Sequence, residues 1–349
     1  MRLMEIDFTP INFSENLGEF KSSLKQFFSN SPSPNIALLC DTNTLENCFP
    51  KIADLPFLKE AEIIEVEPGE ASKNIEIANH IWENLLELDF TKADIIINLG
   101  GGMICDLGGF VASTFKRGMR FIHIPTTYLA MVDASIGGKQ GINLLNTKNQ
   151  VGVINAQEAT FICPDFLDTL PQREVISGLA ETIKHGLIGN SEIWQKAEEN
   201  LTNLTGLDLI KKSIEVKQHI VNLDPYEKGE RKKLNFGHTI GHALENVDGN
   251  GLLHGEAVAH GMLVEAFISW QKEFLSELEF NKIKALIISN YGKPTLEIES
   301  ISKLIIKDKK NLSDKINFTL LNSIGKASYD NQFDINEVKG LLEKFNQLI

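Results

Sequence analysis

The sequence predicts an α/β N-terminal domain with a Rossmann-like parallel sheet, followed by a mostly α-helical C-terminal domain. Three observations carry this. Short apolar runs alternate with helical patterns through the first half, the signature of parallel strands joined by crossover helices. One such run, ADIIINLGGG (93–102), opens directly into three glycines. From about Pro171 onward, long helical periodicities take over. At 349 residues the chain exceeds what one hydrophobic core usually serves, so two domains are expected, 1–170 and 171–349, hinged near Asp165–Gln172.

The elements follow in order. NIALLCD (35–41) is a buried-strand pattern ending in a polar turn, and AEIIEVEPG (61–69) is a strand running into a Pro-Gly break. Residues 73–88 place Ile75, Ala78, Ile81 and Leu85 at helical spacing, with Ser72 as the expected N-cap. FIHIPTT (121–127) is a short strand stopped by Pro125. In the second half the helical patterns are 173–187, 207–223, 236–247, 255–273 and 335–348, and FTLLNSIGKASY (318–329) reads as a hairpin. The lysine cluster 307–310 reads as a solvated helix end.

Composition excludes several classes. A net charge of -13, from 47 acids against 34 bases, argues against general affinity for nucleic acid or an anionic membrane. A local basic pocket for a small anion stays open. Cys40, Cys48, Cys105 and Cys163 form no CxxC pair, so neither a disulfide framework nor a thiolate zinc site is expected, and a reducing cytoplasm is the expected compartment. The N-terminal MRLMEIDFTPINF lacks the apolar core of a signal peptide, and no apolar run reaches the roughly 18 residues of a membrane span.

The chemistry concentrates in a few stretches. Gly100, Gly101 and Gly102, followed by Asp106, Gly108 and Gly109, form a strand-to-helix glycine loop that suits a diphosphate. The pattern is not GxGxxG, and a ligand-free tight turn explains it equally well. Around the glycines at 137 and 138, Asp133, Lys139, Lys148 and Asn149 gather polar groups on a glycine-loosened stretch, as a site for an oxyanion and hydroxyls would. Glu181, Lys184 and His185 fall on adjacent positions of an apolar helical pattern, GLAETIKHG, and spacing does not decide whether Glu181 is a buried ligand or an exposed acid. Arg231 stands shortly before the histidine helix, where it could bind a carboxylate or phosphate bidentately or simply belong to the charged surface run EKGERKK.

The densest stretch is LNFGHTIGHALENVDGNGLLHGE (234–256). His238 and His242 are four apart and share a helix face; His254 returns after a glycine-rich loop. Three histidines among small residues point to a metal, and a catalytic zinc would take three protein ligands and keep a position open. Spacing alone does not choose between His242 and His254 as the partner of His238, nor name a carboxylate.

Taken together, the chain resembles the 3-dehydroquinate synthase family. The resemblance runs through EPGEASK (67–73), LGGGMICDLGGFVASTFKRG (99–118), PTTYLAMVDASIGGKQGIN (125–143), TKNQVG (147–152), TLPQREVISGLAETIKHGLI (169–188), DPYEKGERKKLNFGHTIGHALE (224–245), HGEAVAHGM (254–262) and DKK (308–310). It implies zinc, or cobalt in its place, held by Glu181, His238 and His254, with His242 facing substrate. It implies NAD over Gly101, Gly102 and Asp106, with Glu70 and Lys73 at its adenosine end and Thr126, Thr127, Lys139, Lys148 and the turn from Phe166 to Thr169 completing that site. Asp133, Lys184, Lys217, Arg231, Asn235 and His242 would hold the substrate's hydroxyls, carboxylate and phosphate, with Asn149 counted among the catalytic residues. Arg117 would reach the active site of a neighbouring subunit in a homodimer, and Lys310 or Lys326 would add a phosphate contact. One departure is visible: the family's Asp-Glu-x-Glu is here Asp224-Pro225-Tyr226-Glu227, so an altered loop with retained catalysis is expected.

The implied reaction converts 3-deoxy-D-arabino-heptulosonate 7-phosphate to 3-dehydroquinate and phosphate, through transient oxidation by NAD, phosphate elimination, reduction, ring opening and aldol closure. Three alternatives stand beside it: another sugar-phosphate cyclase such as 2-deoxy-scyllo-inosose synthase, a metal-dependent polyol dehydrogenase, and a non-catalytic binder of metal and nucleotide. Lys217, Arg231 and Asn235 favour a carboxylate-bearing substrate, and so many cations around a metal have no use in a simple binder.

Overall fold

The computed structural model describes residues 10–29, 34–145, 147–247, 251–308 and 315–349. The chain divides into two compact units, Met1–Pro171 and Gln172–Ile349.

The first unit is built on six strands: β1 (Ile11–Phe13), β2 (Ile36–Asp41), β3 (Glu62–Val66), β4 (Ile95–Gly100), β5 (Arg120–Pro125) and, after a hairpin formed by β6 (Lys139–Leu144) and β7 (Thr147–Ile154), β8 (Ala159–Ile162). They pair in the order β1-β8-β5-β4-β2-β3, every pair parallel. The central strands explain themselves: all six residues of β4 and five of six in β2 are buried, as strands covered on both faces must be. Helices α1 (Leu17–Ser29), α2 (Thr42–Asn47), α3 (Ile75–Glu87) and α4 (Gly102–Thr114) connect them. Ile81 and Leu85 of α3 and Leu107 and Phe110 of α4 join Leu39, Ile64, Ile96 and Phe121 of the sheet in one apolar cluster. From β2 the chain steps outward to β3, then returns on the other side to β4. That reversal makes a switch point, and ligands of such sheets sit at the strands' carboxyl ends there. The glycines after β4 and Thr126–Thr127 after β5 lie at that edge, joined by a hydrogen bond from Thr126 N to Gly100 O of 3.0 Å.

Two expectations need correction here. The cap of α3 is Asn74, whose side chain accepts from Ile77 N; Ser72 instead closes a short turn, Glu70–Ser72. The stretch carrying Lys139, Lys148 and Asn149 is an antiparallel hairpin, because Gln140, Gly141 and Ile142 pair with Val153, Gly152 and Val151. Gly141 and Gly152 face each other there, leaving no room for a side chain between the backbones. The strands β1 and β8 join the sheet edge through pairing that local pattern does not show.

The second unit holds α5 (Gln172–Ile188), α6 (Ser191–Glu199), α7 (Leu207–Leu223), α8 (His238–Glu245), α9 (His254–Gln271), α10 (Glu277–Tyr291), α11 (Ile298–Asp308) and α12 (Ile335–Leu348), plus the antiparallel hairpin β9 (Lys315–Ser323) and β10 (Lys326–Asp334). Helices α6, α10 and α11 are additional to those expected. Buried residues run through α5 from Ser177 to Ile188 and through α9 from Ala257 to Ser269, so these two are the central helices of the unit. Small residues let α8 and α9 approach closely. Gly237 adopts φ +81°, and a Cβ there would meet Val258 O and Met262. No described helix is long and apolar enough to cross a membrane.

Candidate active site

The second unit gathers Glu181 from α5, His238 from the start of α8 and His254 from the start of α9, with one ligand atom from each inside a 4.8 Å cluster. Glu181 is wholly buried, and its Oε1 makes no hydrogen bond. His238 Nε2 stands 3.5 Å from that oxygen and His254 Nε2 3.6 Å from it. Donors bound to a tetrahedral zinc at ~2.0–2.2 Å lie about 3.3–3.6 Å apart, so the spacing, the orphaned oxygen and the two imidazoles fit that ion. The fit depends on close helix packing: Gly255 N donates to Ser177 Oγ at 3.1 Å, and a Cβ on Gly255 would collide with the Ser177 carbonyl. That contact brings the first turn of α9, and with it His254, down onto α5.

The other oxygen of Glu181 pairs with Lys184, one turn on and 2% exposed. Burial by itself would push the Glu181 carboxyl up, but the Lys184 ammonium and the two imidazoles outweigh it and hold the group well below the ordinary range. The histidines diverge. Burial, reinforced by Lys184, holds His238 well below the usual value. Burial works the same way on His254, but the Glu181 and Glu245 carboxylates on either side of the ring prevail and raise it to about 9.

His242 is not one of the three clustered donors; its ring stands 5.2 Å from that of His238 and 6.2 Å from that of His254. Lys217, on α7, and Arg231, in the turn before α8, are buried, at 6% and 3% exposed. Arg231 Nη1 donates to Pro225 O at 2.7 Å, and Asn235 Nδ2 donates to Glu227 Oε1 at 2.5 Å. The Asp224 carboxylate accepts from the backbone N–H of Lys228, Gly229 and Arg231 at 3.0, 2.6 and 3.2 Å. Burial would raise its carboxyl, but those donors hold it below the ordinary value. Lys326 opens β10 and is exposed; Lys310 lies outside the described residues.

In the first unit, Lys73 is 3% exposed and reaches three groups: Asp106 Oδ2 at 2.5 Å, Asn149 Oδ1 at 2.6 Å and Glu70 Oε1 at 3.7 Å. Burial would lower its ammonium, but the Asp106 and Glu70 charges raise it instead. Asn143 ties the hairpin to the same group, donating to Glu70 Oε1 at 2.9 Å and accepting from Asn149 N at 2.9 Å. Gly101 caps the N-terminus of α4 without a side chain, and Cβ atoms on Gly101 and Gly102 would crowd Thr127 and Ala134. Thr126 Oγ1 is buried without a hydrogen bond. Asp133 lies in a π-helical turn, Ala130–Ala134, and is half-buried. Lys139 and Lys148 are exposed, as is Thr169. Arg117 is exposed too, on a turn in which Lys116, Arg117 and Gly118 all take positive φ.

Comparison with known proteins decides the affiliation. Residues 63–177 match the 3-dehydroquinate synthase N-terminal domain and residues 178–311 the C-terminal domain. A 3-dehydroquinate synthase from Parabacteroides distasonis is 40% identical over 321 residues, covering 88% of this chain and 90% of that one. The chain belongs to the 3-dehydroquinate synthase family. A second family member, from Thermodesulfovibrio yellowstonii, is 39% identical over 297 residues, 82% of each chain. Among solved structures, a 2-deoxy-scyllo-inosose synthase complexed with carbaglucose-6-phosphate, NAD+ and Co2+ superposes with TM-score 0.83 at 26% identity, covering 96% of both chains. A 2-epi-5-epi-valiolone synthase from Streptomyces hygroscopicus shares the fold at TM-score 0.87 and 21% identity, covering 100% of this chain and 99% of that one.

Within this 3-dehydroquinate synthase family chain, some expected residues come together and others do not. Glu181, His238 and His254 converge, as do Glu70, Lys73, Asp106 and Asn149. Phe166 does not offer its side chain: it is fully buried, edge-on to Phe20 at 5.2 Å, so only its backbone remains available at the 164–169 turn. The proline at 225 is accommodated because Arg231 uses its backbone carbonyl, which any residue supplies. Asn143 and Glu245 escaped the sequence reading. For Glu245 a signal existed, since it continues the stripe of His238 and His242 at the next helical step.

Proposed function

We propose that the chain converts 3-deoxy-D-arabino-heptulosonate 7-phosphate to 3-dehydroquinate and phosphate, with bound NAD and a zinc ion. The observation that carries this is the buried Glu181–His238–His254 cluster backed by Lys184, in a chain about 40% identical to 3-dehydroquinate synthases along most of its length. The first unit is the NAD-binding domain and the second the domain of metal and substrate.

When bound, NAD supplies a reversible hydride acceptor and zinc a Lewis acid for a carbinol oxygen. The N–H groups of the Gly101–Gly102 turn and the start of α4 receive the diphosphate. Glu70, Lys73 and Asp106 hold the adenosine end, and Thr126, Thr127, Lys139, Lys148 and the backbone from Phe166 to Thr169 line the rest. Lys184 holds one oxygen of Glu181, leaving the other directed at the two imidazoles. Lys217, Arg231, Asn235 and His242, with Lys184, Asp133 and Asn149, bind the carboxylate, hydroxyls and phosphate. Lys184, Lys217 and Arg231 are held buried within the second unit, and fixed charges of that kind stabilise charge as it develops. Lys326 is the remaining candidate for phosphate among the described residues. The chain acts as a homodimer in the cytoplasm, with Arg117 serving the neighbouring subunit; its exposure on a strained turn and the four buried free cysteines support those two readings.

The test is phosphate release from the heptulosonate phosphate, with and without NAD and with a chelator. Release must require both NAD and metal and leave no net NADH. Phosphate release from glucose 6-phosphate alone would assign 2-deoxy-scyllo-inosose synthase activity instead, and accumulating NADH a polyol dehydrogenase. Light scattering of the eluting protein reads the dimer.

A further inference from the structure

Glu245 is the last residue of α8, and its side chain is 9% exposed. Its Oε2 lies 3.4 Å from His254 Nδ1, while the other ring nitrogen of His254 faces Glu181 Oε1 at 3.6 Å. The imidazole therefore lies between two carboxylates, one on each nitrogen. His238 is oriented the same way: its Nε2 faces Glu181 Oε1 at 3.5 Å and its Nδ1 faces the Phe236 carbonyl at 3.2 Å. Both histidines thus aim Nε2 at the donor cluster and Nδ1 at an oxygen acceptor. A histidine that ligates through Nε2 must carry its proton on Nδ1, and an acceptor there fixes tautomer and ring orientation and raises the basicity of the ligating nitrogen.

We propose that Glu245 is a positioning residue of the metal centre, which accepts the Nδ1 proton of His254 and so presents the Nε2 lone pair to the ion. The inference rests on the zinc assignment made above. His238 obtains its acceptor from the backbone, which no substitution removes. His254 obtains its acceptor from a side chain, so its half of the site is the half that mutation can loosen. Glu245 also stands on the helix that bears His238. One helix therefore delivers a ligand at its first turn and the orienter of a second ligand at its last.

The experiment is zinc competition against a chromophoric chelator on the full chain, comparing the parent with Glu245→Gln, Glu245→Ala and His254→Ala. Glu245→Gln keeps an acceptor oxygen but no charge, so it is expected to bind one zinc roughly tenfold more weakly than the parent, and Glu245→Ala up to about 100-fold more weakly. His254→Ala loses stoichiometric zinc. With Co2+ in place of zinc, the visible absorption of both Glu245 variants shifts because the His254 ring is no longer held, a signature that simple loss of stability does not produce. Equal zinc affinity, within twofold, for the parent and Glu245→Gln and Glu245→Ala would overturn the proposal while leaving the ligand set intact. If His254→Ala binds zinc like the parent, the ligand assignment itself is wrong and this inference falls with it. Should Glu245→Ala not fold, the near-isosteric Glu245→Gln decides.

Discussion

Removing Glu181 from the metal-free protein is expected to strand the Lys184 ammonium. Both side chains are sealed, at 0% and 2% exposed, and they form an ion pair one helical turn apart on α5. Replacing Glu181 by Leu keeps the volume apolar but leaves a buried cation without its carboxylate, which costs about 3–5 kcal/mol. The double variant Glu181→Leu/Lys184→Met removes both charges and is expected within about 1 kcal/mol of the parent or above it, because well-packed apolar groups often replace a buried pair at no loss. The double variant is then expected to be about 2–5 kcal/mol more stable than the single one. Two compact units make a single global unfolding energy a poor reporter, so the assay is hydrogen exchange of α5 peptides in chelator-treated protein. At about 1.4 kcal/mol per decade, exchange in the single variant runs roughly two to four orders of magnitude faster, and the double variant recovers most of that protection. Exchange of the single variant within about threefold of the parent, or a double variant as fast as the single, would refute the reasoning, since Lys184 would then have compensation that the ion pair does not represent.

Three further outcomes are expected. Because His254 is raised from 6.5 to about 9 in the metal-free chain, its protonated form adds stability that is complete below about 6.5 and lost as pH rises through about 9; zinc must displace that proton, so calorimetry in buffers of different ionisation enthalpy should show about one proton released near pH 7.5 and none well above pH 9. Gly255→Ala drives a methyl into the Ser177 carbonyl, so zinc affinity should fall at least tenfold while NAD binding by the other unit is unchanged, and a parent-like zinc titration would show that this close approach does not set the metal site. Arg231→Ala removes a buried guanidinium anchored on Pro225 O, so KM for the heptulosonate phosphate should rise 10-fold or more, on the order of the 1.5–3 kcal/mol of a hydrogen bond to a charged group, with zinc content intact; unchanged KM and kcat would remove Arg231 from the substrate set.

Much of the fold is legible in the sequence. The strands β2 to β5 announce themselves as apolar runs because a parallel sheet buries both faces, and the helix patterns of α5, α7, α8, α9 and α12 follow from 3.6-residue periodicity. The short strands β1 and β8 and the helices α6, α10 and α11 were not read. Strand pairing is non-local, and a short amphipathic helix in polar surroundings leaves a weak pattern. The hairpin β6–β7 is not legible locally because its glycines signal flexibility, whereas Gly141 and Gly152 let two backbones close on each other.

What the sequence determined by itself is the inventory: a glycine turn after a buried strand, three histidines in one stretch, an acid and a lysine on one apolar helix, and enough matching motifs to name the family. Tertiary structure decided how that inventory is divided. Helical spacing left both His242 and His254 open as the partner of His238, and the donor cluster is His238 with His254 and Glu181, the set that the family resemblance implied. Periodicity reports only neighbours along one helix; a metal site needs atoms from three helices within a few ångströms, and Gly255 against Ser177 and the α8–α9 contact supply that proximity. Burial made the second division. It places Phe166 in the core, closes Glu181 and Lys184 into a pair that water does not reach, and sets Glu245 against His254, because desolvation and partner charge are properties of the assembled fold that no local pattern carries.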